Sequence, residues 1–418
     1  MYQKNQMPKQ SGLDHSAALL REGYLFISQS ADDLRTNVFE TRLLAQRAYC
    51  LRGHQAAALF YDTDKFYRQG VAPLPVRKTL FGEGGVQGLD DAAHRHRKAL
   101  FMGLFTPDAE AQLSQLMREQ LRFNAQGWAT EAQIIWYQQA KQVLTQVACK
   151  WVGVPLAAEE VETRTEQLSQ MYELAGEVGL SHFKGWRARS HAEQWIAGIV
   201  RQVRDSSLTV PAHTPLFQFC WHRDLEGELL SDQVVAVEVL NLLRPTVANA
   251  VWMAFAASAL HQYPQAAATL QHGESHATQR FGQEVRRYYP FFPFTVAKVR
   301  HNFSWNEMLF AQDTLTLLDI YGTHHHPDEW HQPHQFNPQR YLSEKTSSFN
   351  FLAQGGGDYD QGHRCAGEWV TQIILAQTID FLRHELDYQL PEQDLSYSFS
   401  QIPALPKSRV VMQRVSLK

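Results

Sequence analysis

From Thr246 to Leu260 the chain carries no charged side chain, and this stretch sits inside a longer helical pattern running from Ser231 to His261. A bilayer span needs about 20 apolar residues. The uncharged part is shorter than that, and Glu238 and Arg244 lie just upstream. A helix that is apolar all round has to be covered all round, so the stretch reads as a buried core helix. With 418 residues, 44% of them apolar, the chain can bury a core of the size such a helix needs.

Helical periodicity recurs at Ala109 to Asn124, Trp136 to Trp151, Glu159 to Leu180, His191 to Val203 and Gly367 to Leu386. Strand signals are fewer. Ala297 to Trp305 alternates as a half-exposed strand does, and Leu315 to Tyr321 is a second candidate. The fold class is therefore mainly α with a minor β region. No Pro/Ser/Gly-rich connector, repeat or low-complexity run divides the chain, so residues 1–418 are expected to form one large domain.

The net charge of −4, from 39 basic and 43 acidic residues, argues against a nucleic-acid partner. Met1 to Ser16 is polar and lacks the apolar core of a secretory signal or membrane anchor, which points to the cytoplasm. Cys50, Cys149, Cys220 and Cys365 are widely scattered, with no C-x-x-C pair. Neither a disulfide framework nor a zinc site is indicated.

Cys365 differs from the other three in its surroundings. It follows a loop containing Gly355, Gly356, Gly357 and Gly362 and precedes a helix whose apolar face is Trp369, Val370, Ile373, Ile374, Ile379, Phe381 and Leu382. Glycines permit tight turns and close approach of a flat ligand. A helix N-terminus adds positive potential that favours a thiolate. A cysteine thiolate is a proximal ligand of haem iron that favours O–O cleavage.

Phe351 to Gly367 reads F-x-x-x-G-G-G-x-x-x-x-G-x-R-C-x-G, which resembles the haem-binding loop of the cytochrome P450 enzymes. Its length, and the words Gln354-Gly355-Gly356-Gly357-Asp358 and Gly362-His363-Arg364-Cys365-Ala366-Gly367-Glu368-Trp369, are similar to the fatty-acid peroxygenase branch of that family. Glu284-Val285-Arg286-Arg287 places Glu284 and Arg287 on one helix face. About 50 residues on, Phe336-Asn337-Pro338-Gln339-Arg340-Tyr341 resembles the family segment whose arginine completes a Glu-Arg-Arg triad. The resemblance implies the cytochrome P450 fold, haem b as cofactor and Cys365 as axial ligand.

Leu242-Leu243-Arg244-Pro245-Thr246 lies in the core helix. A buried arginine needs an anion, supplied by the protein or by a ligand, and Glu238 is the nearest protein candidate. Pro245 removes the hydrogen bond to the Asn241 carbonyl and is expected to kink the helix. The acid–alcohol pair that most family monooxygenases use to deliver protons is absent here. In the peroxygenase branch the arginine of Arg-Pro binds the carboxylate of a fatty acid, and guanidinium and carboxylate match as a two-pronged pair.

The resemblance then implies further roles. The bound carboxylate would act as general acid/base in place of the missing side chain. The tether would confine reaction to the α or β carbon. Hydrogen peroxide would be the oxidant and no redox partner would be required.

Gln87, in Gly82-Glu83-Gly84-Gly85-Val86-Gln87-Gly88, falls where hydroxylating members carry glutamine and the decarboxylating member carries histidine, so terminal alkenes are expected only as a minor product. Phe81, Phe291 and Phe292 are candidates to line the acyl channel. His94, Lys98, Arg68 and His363 are candidates for the haem propionates, with His94 and Lys98 spaced i, i+4 so that both could meet one anion. The competing readings are a conventional monooxygenase fed by redox partners, a fatty-acid decarboxylase, and a non-enzymatic haem or lipid carrier.

Three other patterns are set aside. His324, His325, His326, His331 and His334 crowd one segment, but its prolines and acids suggest solvated histidines and no metal site. Gly273-Glu274-Ser275-His276-Ala277 approaches a hydrolase nucleophile elbow yet ends in alanine, with no strand before it. Gly82-x-Gly84 fails as a dinucleotide loop because Gln87 stands where the third glycine belongs.

Overall fold

The structure, a computed structural model, describes residues 7–177, 179–271 and 275–418. Among the described residues, nine helices longer than three turns form most of the fold: α1 (Asp91–Gly103), α2 (Pro107–Trp128), α3 (Trp136–Val152), α4 (Val161–Glu173), α5 (Leu180–Arg204), α6 (Asp232–Ala248), α7 (Ala250–Gln262), α8 (Ser275–Tyr288) and α9 (Glu368–Asp380). Their starts follow local chemistry. Thr106 caps α2 by accepting from the Ala109 N–H, with Pro107 at the first helical position, and Ser231 caps α6 through the Val234 N–H.

Helices α6 and α7 together run through the centre of the main apolar cluster, and 89% of their most apolar window is buried by protein. Length and composition alone would let this unit cross a membrane. Its neighbours, α3, α4 and α5 around α6 and α3, α8 and α9 around α7, supply the cover instead.

The β region is, among the described residues, ten short strands: β1 (Val38–Leu43), β2 (Gln46–Leu51), β3 (Phe66–Tyr67), β4 (Gln133–Ile135), β5 (Phe294–Val299), β6 (Phe303–Trp305), β7 (Met308–Phe310), β8 (Leu315–Asp319), β9 (Leu386–Gln389) and β10 (Val411–Leu417). The largest sheet has the order β1-β2-β8-β5-β3. Only β2 and β8 pair in parallel, with Ala48 opposite Leu315, and the other neighbours in that sheet are antiparallel.

Several boundaries depart from the sequence pattern. The helix expected over Glu159 to Leu180 ends at Glu173, and the one expected from His191 begins at Leu180. The first turns of α5 turn Leu180, Phe183 and Trp186 outward, Leu180 being 84% exposed, so no apolar face signals them. The strand expected over Ala297 to Trp305 is two strands, β5 and β6, parted at Arg300. The strand from Leu315 stops at Asp319, whose carboxylate accepts from the Gly322 N–H at 2.7 Å and starts a helical turn.

The helix also passes Pro245 without ending. The break lies a turn later, at Asn249, whose Nδ2 donates to the carbonyls of Pro245 (2.9 Å) and Thr246 (3.2 Å). A side chain, and not the proline itself, divides α6 from α7.

Candidate active site

Cys365 is held from both sides. Its N–H donates to the Gln354 carbonyl at 2.9 Å, and its carbonyl accepts from Glu368, the first residue of α9, at 3.3 Å. Glu368 then clamps the loop: Oε1 accepts from Arg286 at 2.8 Å and Oε2 from Arg364 at 2.7 Å. Arg286 also donates to the Gln354 side chain. The glycines before the cysteine are needed sterically. A Cβ on Gly356 would stand 2.3 Å from the Ser348 carbonyl, and Gly357 has φ +81° with Tyr61 3.0 Å away.

Cys365 is accessible although protein atoms surround it. Burial raises its thiol pKa, while Lys98, the Gly367 N–H and Arg244 oppose the rise. The expected stabilisation of a thiolate is therefore present but outweighed by desolvation in the protein alone. Metal coordination deprotonates a thiol outright, so this sulfur is suited to a cationic partner.

On α6 a line of polar groups is buried in the apolar core. Arg97 of α1 donates to Glu238 Oε1 at 2.6 Å, in a pair 9% and 0% exposed. Asn241 Nδ2 donates to Glu238 Oε2 and to Gln87 Oε1, both at 3.0 Å. Gln87 thus spends its carbonyl on Asn241. Arg244, one turn on and 5% exposed, reaches among the described residues only Asn241 Oδ1, at 3.5 Å, and its Nε has no partner among them.

The salt bridge between Arg244 and Glu238 that the sequence offered does not form, because Arg97 takes that carboxylate. Among the described residues no acid pairs with Arg244. Burial, and after it the charge of Arg189, push the Arg244 pKa down to about 9, which still leaves it cationic at neutral pH. Glu238 was considered from the sequence only as a partner for Arg244, and Arg97 and Asn241 were not singled out for the site. Glu238, Asn241 and Arg244 follow an i, i+3, i+6 spacing that could have pointed to them.

Arg68, His94 and His363 meet around a cavity of about 200 Å³ that Asp90, Gly356 and Gly357 also line. The His94 and His363 rings stack 3.9 Å apart, and His363 Nε2 contacts Asp90 Oδ1 at 3.2 Å. Burial, then neighbouring cations, depress His94 to about 4 and His363 to about 3. Arg68 lies over the rings of Phe60 and Tyr61, and its buried Nη2 is unpartnered. Lys98 goes elsewhere. Its Nζ donates to the Arg364 carbonyl, beneath the Cys365 loop, so it does not share one anion site with His94 as their spacing suggested.

Phe291 stacks on Trp252 at 4.9 Å, and Phe292 meets Phe291 edge-on. Phe81 belongs to a separate turn, Arg77–Phe81, and no ring contact joins it to the other two among the described residues.

The histidine segment corrects the sequence reading. His331 and His334 are exposed, but His324, His325 and His326 are buried. His324 Nε2 accepts from the Leu352 N–H at 2.7 Å, and His325 stacks on Tyr321. They are packing residues, and the described residues contain no cluster suited to a metal ion. Residues 273 and 274 of the elbow-like word, and the side chain of Ser275, lie outside the described residues.

The Glu-Arg-Arg triad is present. Glu284 binds Arg287 through both oxygens, at 2.7 and 2.9 Å, and Arg340 at 3.2 Å. Arg287 donates to the His324 and Pro333 carbonyls, and Arg340 to that of His331, which fixes the meander leading to the cysteine loop.

The sequence pattern of the family described as cytochrome P450 matches residues 274–394. The structure of cytochrome P450EX alpha (CYP152N1) with myristic acid superposes with a TM-score of 0.95, at 48% identity over 99% of each chain. That of a cytochrome P450 OleT variant in complex with arachidonic acid gives 0.96, at 30% identity over 99% of each. Steroid 17-alpha-hydroxylase/17,20 lyase of Pan troglodytes is 28% identical over 127 residues, a match spanning 29% of this chain and 24% of that enzyme. A cysteine loop clamped onto a helix start, its sulfur within electrostatic reach of a buried arginine, defines a haem-thiolate protein, and the chain belongs to the cytochrome P450 family. Within it, the chain falls in the fatty-acid peroxygenase branch that P450EX alpha and OleT represent.

The family's haem-thiolate iron fits the residues present. The accessible Cys365 provides the sulfur ligand, and the orphaned Arg68 nitrogen beside two neutral imidazoles provides a donor for carboxylates.

Proposed function

We propose that the protein is a haem-thiolate peroxygenase that uses hydrogen peroxide to hydroxylate long-chain fatty acids at the α or β carbon, with terminal alkenes as a minor product. Haem b, ligated by Cys365, would supply the oxidising chemistry. The observation that carries the reading is Arg244: a buried cation on the core helix for which no described residue supplies an acid. An uncompensated buried charge costs several kcal/mol, and a substrate carboxylate in a two-pronged contact removes that cost.

Once held, that carboxylate is the available acid/base at this face of the site. Glu238 has both oxygens engaged, and the Thr246 hydroxyl is donated to the Leu242 carbonyl at 2.8 Å. A carboxylate oxygen would accept a proton from hydrogen peroxide and return it to the departing water. Gln87, its carbonyl fixed by Asn241, would present its NH₂ as a donor that cannot relay protons. The tether restricts reaction to the first carbons of the chain.

Phe81, Phe291 and Phe292 would line the acyl site, and Arg68, His94 and His363 would receive the haem propionates. In this reading the protein is one haem domain working in the cytoplasm without a redox partner. The test is to give the purified protein hydrogen peroxide and a mixture of saturated fatty acids and analyse the products by mass spectrometry. 2- and 3-hydroxy acids are expected, and turnover only with an electron-transfer chain would refute the reading.

A further inference from the structure

The segment bearing Phe81 and Gln87 lies flush on α6 because it is built from glycine. A Cβ on Gly82 would stand 2.1 Å from Arg189 Nη2 and 2.8 Å from Val237 Cγ1, and one on Gly85 would stand 2.9 Å from Asn241 Nδ2. Gly82 also has φ +79°, which a side chain disfavours. Leu80 and Val86 anchor its ends in the core, but residues 82–85 between them carry a single side chain, Glu83.

What holds it comes from α5. Arg189, 2% exposed, donates Nη1 to the Leu80 carbonyl at 2.9 Å and Nε to Glu193 Oε1 at 2.5 Å. The other Glu193 oxygen accepts from Gln233 of α6 at 2.6 Å. One guanidinium therefore joins three elements: α5, the segment after Leu80, and α6. Its Nη2 occupies the space left by Gly82 and has no hydrogen-bond partner. A buried donor left unpaired is destabilising, so as a device for stability alone this arginine is a poor choice.

We propose that Arg189 is a positioning and specificity-determining residue, which bolts the Leu80–Gly85 segment onto α6 and thereby sets which carbon of an Arg244-anchored acid is oxidised. This rests on the fatty-acid reading above. Arg244 fixes the head group. The bolt fixes the opposing wall, Phe81 and Gln87, against which the first carbons lie. Loosening it leaves the carboxylate anchor intact while the reacting carbons lose their placement, and displacements of about 1 Å are enough to change rates roughly a hundredfold.

The test uses Arg189→Met, Arg189→Lys and Gly82→Ala, the last of which evicts Nη2 without touching the arginine. Expected for Arg189→Met are a change of about fivefold or more in the ratio of 2-hydroxy to 3-hydroxy product and a fall of about tenfold in kcat, with fatty-acid Kd within about threefold of wild type. Gly82→Ala should move the ratio the same way, the double variant should go little further, and Arg189→Lys should recover part of the change.

An unchanged ratio in folded Arg189→Met or Gly82→Ala overturns the proposal. So does a tenfold weaker Kd with an unchanged ratio, which would make Arg189 a second carboxylate anchor. Should wild type yield no hydroxy acids, the fatty-acid reading falls, and amide hydrogen exchange over residues 77–88 decides the bolt. Faster exchange there in both variants supports it, and unchanged exchange overturns it.

Discussion

A guanidinium in an apolar helix was visible in the sequence as a problem needing an anion, and the structure shows that the nearest acid is already spent. Arg97, distant in the chain, claims Glu238, a pairing no local pattern announces. Replacing Arg244 by alanine should lower kcat/KM for fatty acids by on the order of a hundredfold or more. Added short carboxylic acids should then restore peroxide-driven oxidation of substrates that lack an acid group, as measured by product formation. Full fatty-acid activity in that variant would remove Arg244 from its role. Gln87 was legible only through resemblance, and its fixing by Asn241 was not legible at all. Gln87→His introduces a group that can relay protons, and gas chromatography of the products should show a larger terminal-alkene fraction.

Among the elements, those with an apolar face or a steric signature were read well. The core helix and the cysteine loop with its following helix fall close to where the pattern put them. The β1–β2 hairpin was missed because its turn, Leu44-Ala45, adopts positive φ without glycine or asparagine. Ser16 Oγ and Asp14 Oδ2 hold that turn by accepting from its N–H groups, at 2.7 and 2.6 Å. The triad was legible as Glu284, Arg287 and Arg340, and the structure adds that Asn337 N–H and the Tyr341 hydroxyl also donate to Glu284. Five donors converge on one fully buried carboxylate, and its removal takes the acid from Arg287, while Arg340 keeps Glu344 at 3.1 Å. Glu284→Ala should therefore destabilise by about 3–5 kcal/mol, seen as a lower denaturant midpoint, whereas a change within error would mean the meander is held by other contacts.

For the molecule as a whole, burial of histidine couples stability to pH. Burial, then Arg287 and Arg286, depress His324 to about 3, and its Nε2 must stay unprotonated to accept from Leu352. The unfolded chain takes up this proton below an ordinary pKa near 6.5 and the folded protein only near 3. Stability is thus fully present above about pH 6.5 and is lost as pH falls toward 3. His324→Gln should reduce the proton uptake linked to unfolding by about one between pH 4 and 6, measured as the slope of unfolding free energy against pH. The sequence suggested the opposite surroundings for this residue, because the prolines and acids nearby mark a surface loop while its ring is carried inward by the turn after β8.

The overall layout, mainly helical with a small β region, was legible because apolar periodicity reports burial. The joining of Arg68, His94 and His363 around one cavity was legible only through the family resemblance, since it depends on three separate segments meeting. In the proposed function these parts serve a site in which the substrate supplies the acid that the protein lacks. Rates should therefore be compared for a saturated long-chain fatty acid and its methyl ester, with hydrogen peroxide as sole oxidant. The free acid should be hydroxylated about a hundredfold faster or more, and equal rates for acid and ester would contradict the proposed role of the carboxylate.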